Sequence, residues 1–133
     1  MSKKNVEVVA AILTHNEQFL AVQRGDSALD YISRKWEFPG GKVEPGETLT
    51  TAIARELDEE LRISITEPQF FMTIEHRYPD FDITMHCFVV DLPNREFELT
   101  EHIDHRWLSK QEFWEVDWAE ADIPAVHALL KVK

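Results

Sequence analysis

Short apolar segments outnumber long ones in this chain, and they predict more strands than helices. Runs of β-branched, aromatic and other apolar residues that end at Gly, Pro, Asn or Asp are typical of strands. Such runs occupy residues 6–13, 19–23, 36–38, 70–78, 83–90 and 103–108. The first two are separated by a polar turn and predict a β-hairpin, whereas residues 24–35 have no sustained period and predict a loop.

Two segments have the spacing of helices. Between residues 48 and 61 the apolar side chains recur every fourth residue, as expected for an amphipathic helix. These positions are Leu49, Ile53, Leu57 and Leu61. Residues 124–130 follow an acidic turn and predict a closing helix. Strands on both sides of an internal helix, with a second helix at the end, predict an α/β fold in which a mixed sheet lies between helices.

Composition and charge narrow the class of protein. The 133 residues are about the size of one domain, and we expect a single domain over residues 1–133. With 25 acidic and 14 basic residues the net charge is −11, which repels the backbone of DNA or RNA and makes a nucleic acid polymer an unexpected partner. The lone Cys87 cannot form an intrachain disulfide, and its apolar surroundings predict a buried thiol.

Localisation is predicted from hydropathy. No apolar run approaches the roughly 20 residues needed to cross a bilayer, so we expect no membrane partner. Residues 1–5 lead directly into the first predicted strand without the apolar core of a signal peptide. The sequence therefore predicts a cytoplasmic protein, and it leaves the oligomeric state open.

Three glutamates of the first predicted helix lie where a solvated acidic face would not place them. At roughly 100° per residue, Glu56 and Glu60 fall on the apolar side and Glu59 on its flank. Three carboxylates within one turn repel one another, so we expect them to be protonated or neutralised by cations. Hard oxygen ligands favour Mg²⁺ or Mn²⁺. The alternative is a structural helix with ion pairs on its surface.

The spacing of these glutamates to preceding turn residues forms a longer motif. Pro39-Gly40-Gly41 and Glu44-Pro45-Gly46 let the backbone approach a ligand closely. The full pattern is Gly41-x5-Glu47-x7-Arg55-Glu56-Leu57-x-Glu59-Glu60-x-Arg62-Ile63. It resembles the box of the Nudix hydrolase family, and residues 36–42 resemble its MutT-like branch in particular. The resemblance covers nearly the whole chain and implies a Nudix-like α/β/α sandwich with a mixed β-sheet.

The resemblance implies a role for each charged residue of the box. The implied metal ligands are the Gly40 carbonyl, Glu56, Glu59, Glu60 and Glu101, with Mg²⁺ or Mn²⁺ as the cofactor. The implied catalytic residues are Arg55, Glu56, Glu59 and Glu101. Arg55 would orient Glu56 or pair with Glu47. The general base would be Glu56 or Glu101, because family members use a glutamate of the box or one on a later loop.

Four further residues match substrate-binding positions of the family. They are Arg24, Phe38, Lys42 and Asp122. Arg24 would lie near the phosphates, unless it is an ordinary surface arginine. Asp122 would contact the base, or alternatively cap the last helix. Phe38, Tyr78 and Phe81 have rings that suit base stacking, but at least two are expected in the core.

One position departs from the family pattern, and two histidines match no metal site. The family usually has glycine at position 62, where the helix is expected to end in a left-handed conformation that costs a non-glycine residue on the order of 1 kcal/mol. His102 and His105 are three apart in a predicted strand and therefore point to opposite faces. No cysteine pair accompanies them, so we expect no zinc site.

The resemblance implies a magnesium-dependent nucleoside triphosphate pyrophosphohydrolase that releases the monophosphate and pyrophosphate. A cytidine-type or damaged nucleotide is the expected substrate, because the branch includes proteins acting on cytidine triphosphates or oxidised guanine triphosphates. Two alternatives remain. One is hydrolysis of ADP-ribose or a dinucleoside polyphosphate. The other is a non-catalytic nucleotide-binding module, which usually accompanies the loss of a box glutamate; all four are present here.

Overall fold

A computed structural model describes residues 3–132 and contains one mixed sheet with helices on both of its faces. The strands are β1 (Lys4–His15), β2 (Gln18–Gln23), β3 (Trp36–Glu37), β4 (Gly40–Lys42), β5 (Gln69–Arg77), β6 (Phe81–Asp91) and β7 (Asp104–Leu108). The α-helices are α1 (Leu49–Leu61) and α2 (Ile123–Lys131). Short 3-10 helices, Lys110–Glu115 and Glu120–Asp122, precede α2. The predicted domain over residues 1–133 extends beyond the described residues at both ends and stays a prediction.

The sheet is mixed because β1 pairs with both parallel and antiparallel strands. It runs parallel to β6 along eleven paired positions from Lys4↔Phe81 to Thr14↔Asp91. It is antiparallel to β2 and to β4. The β1–β2 connection is a two-residue turn in which Asn16 and Glu17 have φ of 50° and 62°, as the favoured type I′ hairpin turn requires. The predicted hairpin and mixed sheet are confirmed.

Alternation along the central strands assigns each side chain to one of two cores. On one face, residues of β1 and β2 pack with the apolar stripe of α1. This cluster includes Val9, Ala11, Leu13, Leu20, Val22, Ala52, Ile53, Leu57 and Leu61. The intervening residues of β1 and β2 pack with α2 on the other face, in a cluster that includes Ala10, Ile12, Ala21, Cys87, Ala125, Val126 and Leu129. The predicted burial of Cys87 is confirmed, and the layers form an α/β/α sandwich.

Helix α1 begins and ends at well-defined caps. The Thr48 hydroxyl accepts a hydrogen bond from the Thr51 N–H at 3.2 Å, which satisfies one of the unpaired N–H groups of the first turn. Arg62 ends the helix in the left-handed conformation, with φ 56° and ψ 40°. Its N–H donates to the Asp58 carbonyl at 3.1 Å. The left-handed helix end predicted at this position is confirmed.

Arg62→Gly is therefore expected to raise the stability slightly without changing catalysis. Relief of left-handed strain contributes about 1 kcal/mol, and the larger unfolded-state entropy of glycine opposes it by roughly 0.5 to 1 kcal/mol. Chemical denaturation should show a net change between zero and about +0.5 kcal/mol. Arg62→Ala is the matched control, because it retains the strain and removes only the exposed side chain. A loss above about 1 kcal/mol in Arg62→Gly would show that the guanidinium makes a stabilising contact.

The strand β4 was missed in the sequence, where residues 39–41 predict a turn. Gly40 and Gly41 pair with Ala10 and Val9 in the antiparallel sheet. A Cβ atom on Gly40 would lie 2.0 Å from the Val9 carbonyl oxygen, so only glycine permits this approach. The strand prediction for residues 103–108 was also wrong at its start. The strand β7 begins at Asp104, and His102 lies in the preceding loop.

Candidate active site

A cleft of about 870 Å³ opens where β1, β4 and β6 meet α1 and the loop before β7. Its walls bring together all but one of the residues predicted to bind metal or substrate or to act in catalysis. They are Arg24, Phe38, Gly40, Lys42, Glu56, Glu59, Glu60, Glu101 and Asp122. Arg55 does not line the cleft but contacts the glutamates that do. Side chains up to 98 residues apart in the sequence thus share one cavity.

The glycine-rich strand β4 brings the helix carboxylates close to the sheet. A Cβ atom on Gly41 would lie 2.2 Å from Oε2 of Glu56. The Gly40 N–H donates a hydrogen bond to Oε1 of Glu60 at 3.2 Å. The two glycines therefore form a shelf against which the carboxylates of α1 pack, which explains why their spacing to the acidic helix matters.

Arg55 organises the glutamates of the box. It donates from Nε and Nη2 to both carboxylate oxygens of Glu47, at 2.7 and 2.9 Å. Its Nη1 donates to Glu56 at 2.8 Å and to Glu59 at 3.2 Å. The guanidinium also reaches the Lys42 carbonyl at 2.9 Å. Sequence reasoning offered two roles for Arg55, orienting Glu56 or pairing with Glu47, and the side chain makes both contacts.

The carboxylates of α1 differ in charge environment. Burial raises the pKa of Glu60 to about 8, with further increases from the nearby Glu37, Glu56 and Glu101. Burial also raises the pKa of Glu56, although the Arg55 guanidinium opposes this. Hydrogen bonds from Arg55 lower the pKa of Glu47 to about 2. In the absence of a cation, the raised pKa of Glu60 favours its protonated form at neutral pH.

The donor set fits a hard divalent cation. Within residues 3–132, no three acidic, histidine or cysteine side chains already converge on one point in metal-ligand geometry. Glu56 and Glu59 are instead hydrogen-bonded to Arg55. Glu60 is only 6% exposed, and its neighbours are carboxylates. A cation beside it would offset both the desolvation of its charge and the repulsion from those neighbours. Carboxylate and carbonyl oxygens are the ligands that Mg²⁺ and Mn²⁺ prefer.

The loop that carries Glu101 is attached to the end of α1. Backbone N–H groups of Glu98 and Thr100 donate to the Leu61 and Glu60 carbonyls, at 2.9 and 3.1 Å. These carbonyls would otherwise be among the unpaired groups at a helix C-terminus. Glu101 thereby lines the same cleft as the box glutamates, although it follows Glu60 by 41 residues in the chain.

Glu37 and His102 line the cleft, but neither of them was assigned to the site from the sequence. His102 Nε2 lies 2.9 Å from Oε2 of Glu37, and Arg24 Nη1 lies 3.8 Å from Oε1 of Glu37. All three residues line the cleft. The one available signal was Glu37 itself, a charged residue between the apolar Trp36 and Phe38 of a short strand. His102 gave no signal, because its placement depends on a partner 65 residues away.

The cleft is also lined by Asp122 and by buried aromatic residues. The Asp122 carboxylate is 4% exposed and accepts a hydrogen bond from the Phe38 N–H at 3.0 Å. Burial, followed by the nearby Glu37, raises its pKa. Asp122 occupies the N-cap position of α2, as the alternative expected, but its side chain makes no capping bond to the helix. Phe38 and Tyr78 are both buried, which confirms that at least two of the three aromatic residues belong to the core.

Tyr78 links the cleft to the residues before α2. Its hydroxyl accepts a hydrogen bond from the Ala121 N–H at 3.0 Å, and burial raises its pKa to about 12. Phe38 packs against Trp118 with ring centroids 4.8 Å apart. The residues before α2 are therefore held by a hydrogen bond to Tyr78 and by an aromatic contact with Phe38.

A mixed sheet between helices, with a glycine-rich strand packed against an acidic helix, is the arrangement that the Nudix resemblance implied. The chain belongs to the Nudix hydrolase family, because a NUDIX domain model matches residues 3–129.

No helix of the described residues is long and apolar enough to span a membrane.

Known relatives agree with this assignment. The chain is 34% identical over 130 residues to a protein of Escherichia coli (strain K12) named CTP pyrophosphohydrolase, covering 98% of this chain and 95% of the relative. It is 30% identical over 131 residues to the 8-oxo-dGTP diphosphatase of the same strain, covering 97% and 99%. The solution structure of the E. coli ORF135 protein matches 96% of this chain and 90% of its own, at 34% identity and a TM-score of 0.80.

Proposed function

We propose that the protein is a magnesium- or manganese-dependent nucleoside triphosphate pyrophosphohydrolase that releases the nucleoside monophosphate and pyrophosphate. The observation that carries this proposal is the layout of the cleft. Box carboxylates, the cations Arg24 and Lys42, and Asp122 with buried aromatic residues all line this one cleft. This layout suits a substrate with a polyphosphate and a base. The names of the two E. coli relatives support the same substrate class.

Five groups would hold the cation. They are the Gly40 carbonyl, Glu56, Glu59, Glu60 and Glu101, all in the walls of the cleft. Bound there, Mg²⁺ or Mn²⁺ neutralises phosphate charge and makes a water molecule more acidic. Without a cation, a protein of net charge −11 would repel a triphosphate. Cation binding therefore reconciles the acidic cleft with an anionic substrate.

The residues of the chain orient the reactants and receive a proton. Arg55 holds Glu56 and Glu59 at fixed positions through Nη1. Lys42 and Arg24 are cations of the cleft wall that can bind phosphate oxygens. As water attacks phosphorus, Glu56 or Glu101 accepts its proton and the bond between the α- and β-phosphates breaks. The partial burial that raises the pKa of Glu56 suits it to act as a general base.

The base would contact Asp122 and the ring of Phe38. The raised pKa of Asp122 favours a neutral carboxyl group, which has both an O–H donor and a carbonyl acceptor. An ionised carboxylate would instead accept from an exocyclic amino group. Cytosine and an oxidised guanine both offer suitable donor edges. A cytidine-type or damaged nucleotide is therefore the proposed substrate.

Substrate choice is tested by a panel of normal, methylated and oxidised nucleoside triphosphates, with ADP-ribose and a dinucleoside polyphosphate as further members. We expect one triphosphate to be preferred, with pyrophosphate released. Asp122→Asn should lower kcat/KM for that substrate by about tenfold, because an amide cannot replace both hydrogen-bonding states of the carboxyl group. Preference for ADP-ribose or the dinucleoside polyphosphate would contradict the proposed substrate class. An Asp122→Asn variant with unchanged kcat/KM for that substrate would contradict the role of Asp122 in base recognition.

A further inference from the structure

The segment that carries Glu101 enters the cleft between two anchored neighbours. Glu101 itself is exposed, whereas the residues on either side of it make specific contacts. Thr100 bonds to the end of α1, and His102 bonds to Glu37 at the end of β3. Both elements contribute residues to the cleft, so the position of Glu101 depends on both.

Thr100 attaches the segment to the residues that carry the box carboxylates. Its hydroxyl donates to the Glu59 carbonyl at 2.7 Å and lies 3.1 Å from the Glu60 carbonyl. Its N–H also donates to the Glu60 carbonyl at 3.1 Å. The acceptors belong to two of the proposed cation ligands. Thr100 therefore fixes the distance between the backbone of Glu101 and those of Glu59 and Glu60.

His102 attaches the segment on its other side. Its side chain is 5% exposed, and Nε2 lies 2.9 Å from Glu37 Oε2. Its Nδ1 is buried and has no hydrogen-bond partner within the described residues. A buried nitrogen without a partner is unfavourable, and an apolar side chain would avoid it. The imidazole is therefore better explained by the one directed bond that it makes than by packing.

We propose that Thr100 and His102 are positioning residues that clamp Glu101 in its place in the cleft, next to the end of α1. The inference rests on the proposed function, because it assigns the clamp to a cation ligand of that site. Both residues act through Glu101 rather than on the substrate. Loss of either anchor leaves Glu101 present but misplaced, which weakens cation binding and slows turnover.

The clamp is tested by removing each anchor with a change of similar shape. Thr100→Val removes the hydroxyl, and Thr100→Ser restores it. His102→Leu removes the bond to Glu37, and His102→Gln restores a donor near the position of Nε2. Thr48→Val is the matched control, because it removes a capping hydroxyl at the opposite end of the same helix. Thermal denaturation of every variant separates a misplaced Glu101 from a failure to fold.

The primary readout is Mn²⁺ binding to the substrate-free protein, followed by electron paramagnetic resonance. We expect Thr100→Val and His102→Leu to raise the Kd for Mn²⁺ by about tenfold. The Ser and Gln variants and Thr48→Val should stay near the wild-type Kd. With the preferred nucleotide, kcat should fall while KM changes less than twofold. In a Glu101→Gln background neither anchor substitution should have a further effect, because the clamp acts through Glu101 alone.

Wild-type Mn²⁺ affinity in Thr100→Val and His102→Leu would overturn the clamp. So would additive losses in the Glu101→Gln background, or a Glu101→Gln variant with unchanged Mn²⁺ affinity. If His102→Leu does not fold, Thr100→Val and Thr100→Ser decide the question. Failure of the proposed function has a different signature. The wild-type protein would then bind Mn²⁺ and show the predicted effects of both anchors, yet hydrolyse no nucleoside triphosphate.

Discussion

Replacing Glu60 with glutamine is expected to lower turnover by about 100- to 1000-fold while leaving the protein folded. The substitution keeps the shape of a side chain that accepts from the Gly40 N–H but removes the charge of a proposed cation ligand. Loss of several kcal/mol of transition-state stabilisation corresponds to this range of rates. The measurement is kcat at saturating Mg²⁺, with the exposed Glu96→Gln as the matched control. Wild-type turnover in Glu60→Gln would remove Glu60 from the mechanism.

The same substitution should stabilise the metal-free protein at high pH. Burial raises the pKa of Glu60 to about 8, so the folded state binds a proton more tightly than the unfolded state. Ionised Glu60 therefore destabilises the folded protein. This destabilisation is absent below the unfolded pKa of about 4.3 and increases until the pH passes the folded pKa. With chelator present, Glu60→Gln should match the wild-type protein near pH 4 and exceed it by several kcal/mol, up to about 5 kcal/mol, at pH 8. If the difference in unfolding free energy between the two proteins stays constant from pH 4 to pH 8, the raised pKa of Glu60 is contradicted.

Arg55→Lys is expected to destabilise the protein by about 2 kcal/mol and to reduce turnover by about 10- to 100-fold. Arg55 donates to Glu47 through two nitrogens and also to Glu56, Glu59 and the Lys42 carbonyl. A lysine ammonium keeps the charge but cannot form this planar set of bonds. Several carboxylates would then lack a partner.

The matched control for Arg55→Lys is Arg62→Lys. Arg62 is exposed at the end of the same helix, so the same chemical change there should leave stability and turnover near wild type. Chemical denaturation and kcat measured on both variants check the prediction. Equal effects of the two substitutions would show that the guanidinium geometry of Arg55 is unimportant.

Features set by local periodicity could be predicted from the sequence. The apolar repeat that identifies α1 consists of Leu49, Ile53, Leu57 and Leu61. The angular position of Glu60 on the apolar side of that helix predicts its burial. The left-handed end at Arg62 follows from its place after the last apolar residue. These inferences succeed because each depends on residues within a few turns of one another.

Features set by distant contacts could not be predicted. The bond between Phe38 and Asp122 spans 84 residues, and it decides that Asp122 faces the cleft instead of capping α2. Likewise, β4 exists because its glycines can approach β1, whereas their local pattern is that of a turn. The partnership of His102 with Glu37 has no local signature at all.

The central claim is that the cleft uses a divalent cation to convert a nucleoside triphosphate to its monophosphate and pyrophosphate. It is tested most directly by quantifying both products from the preferred nucleotide with Mg²⁺, with excess EDTA, and after Mg²⁺ is restored. We predict equal amounts of the monophosphate and pyrophosphate with Mg²⁺, no turnover in EDTA and full recovery on restoration. Undiminished turnover in excess EDTA, or release of the diphosphate and inorganic phosphate, would contradict the account.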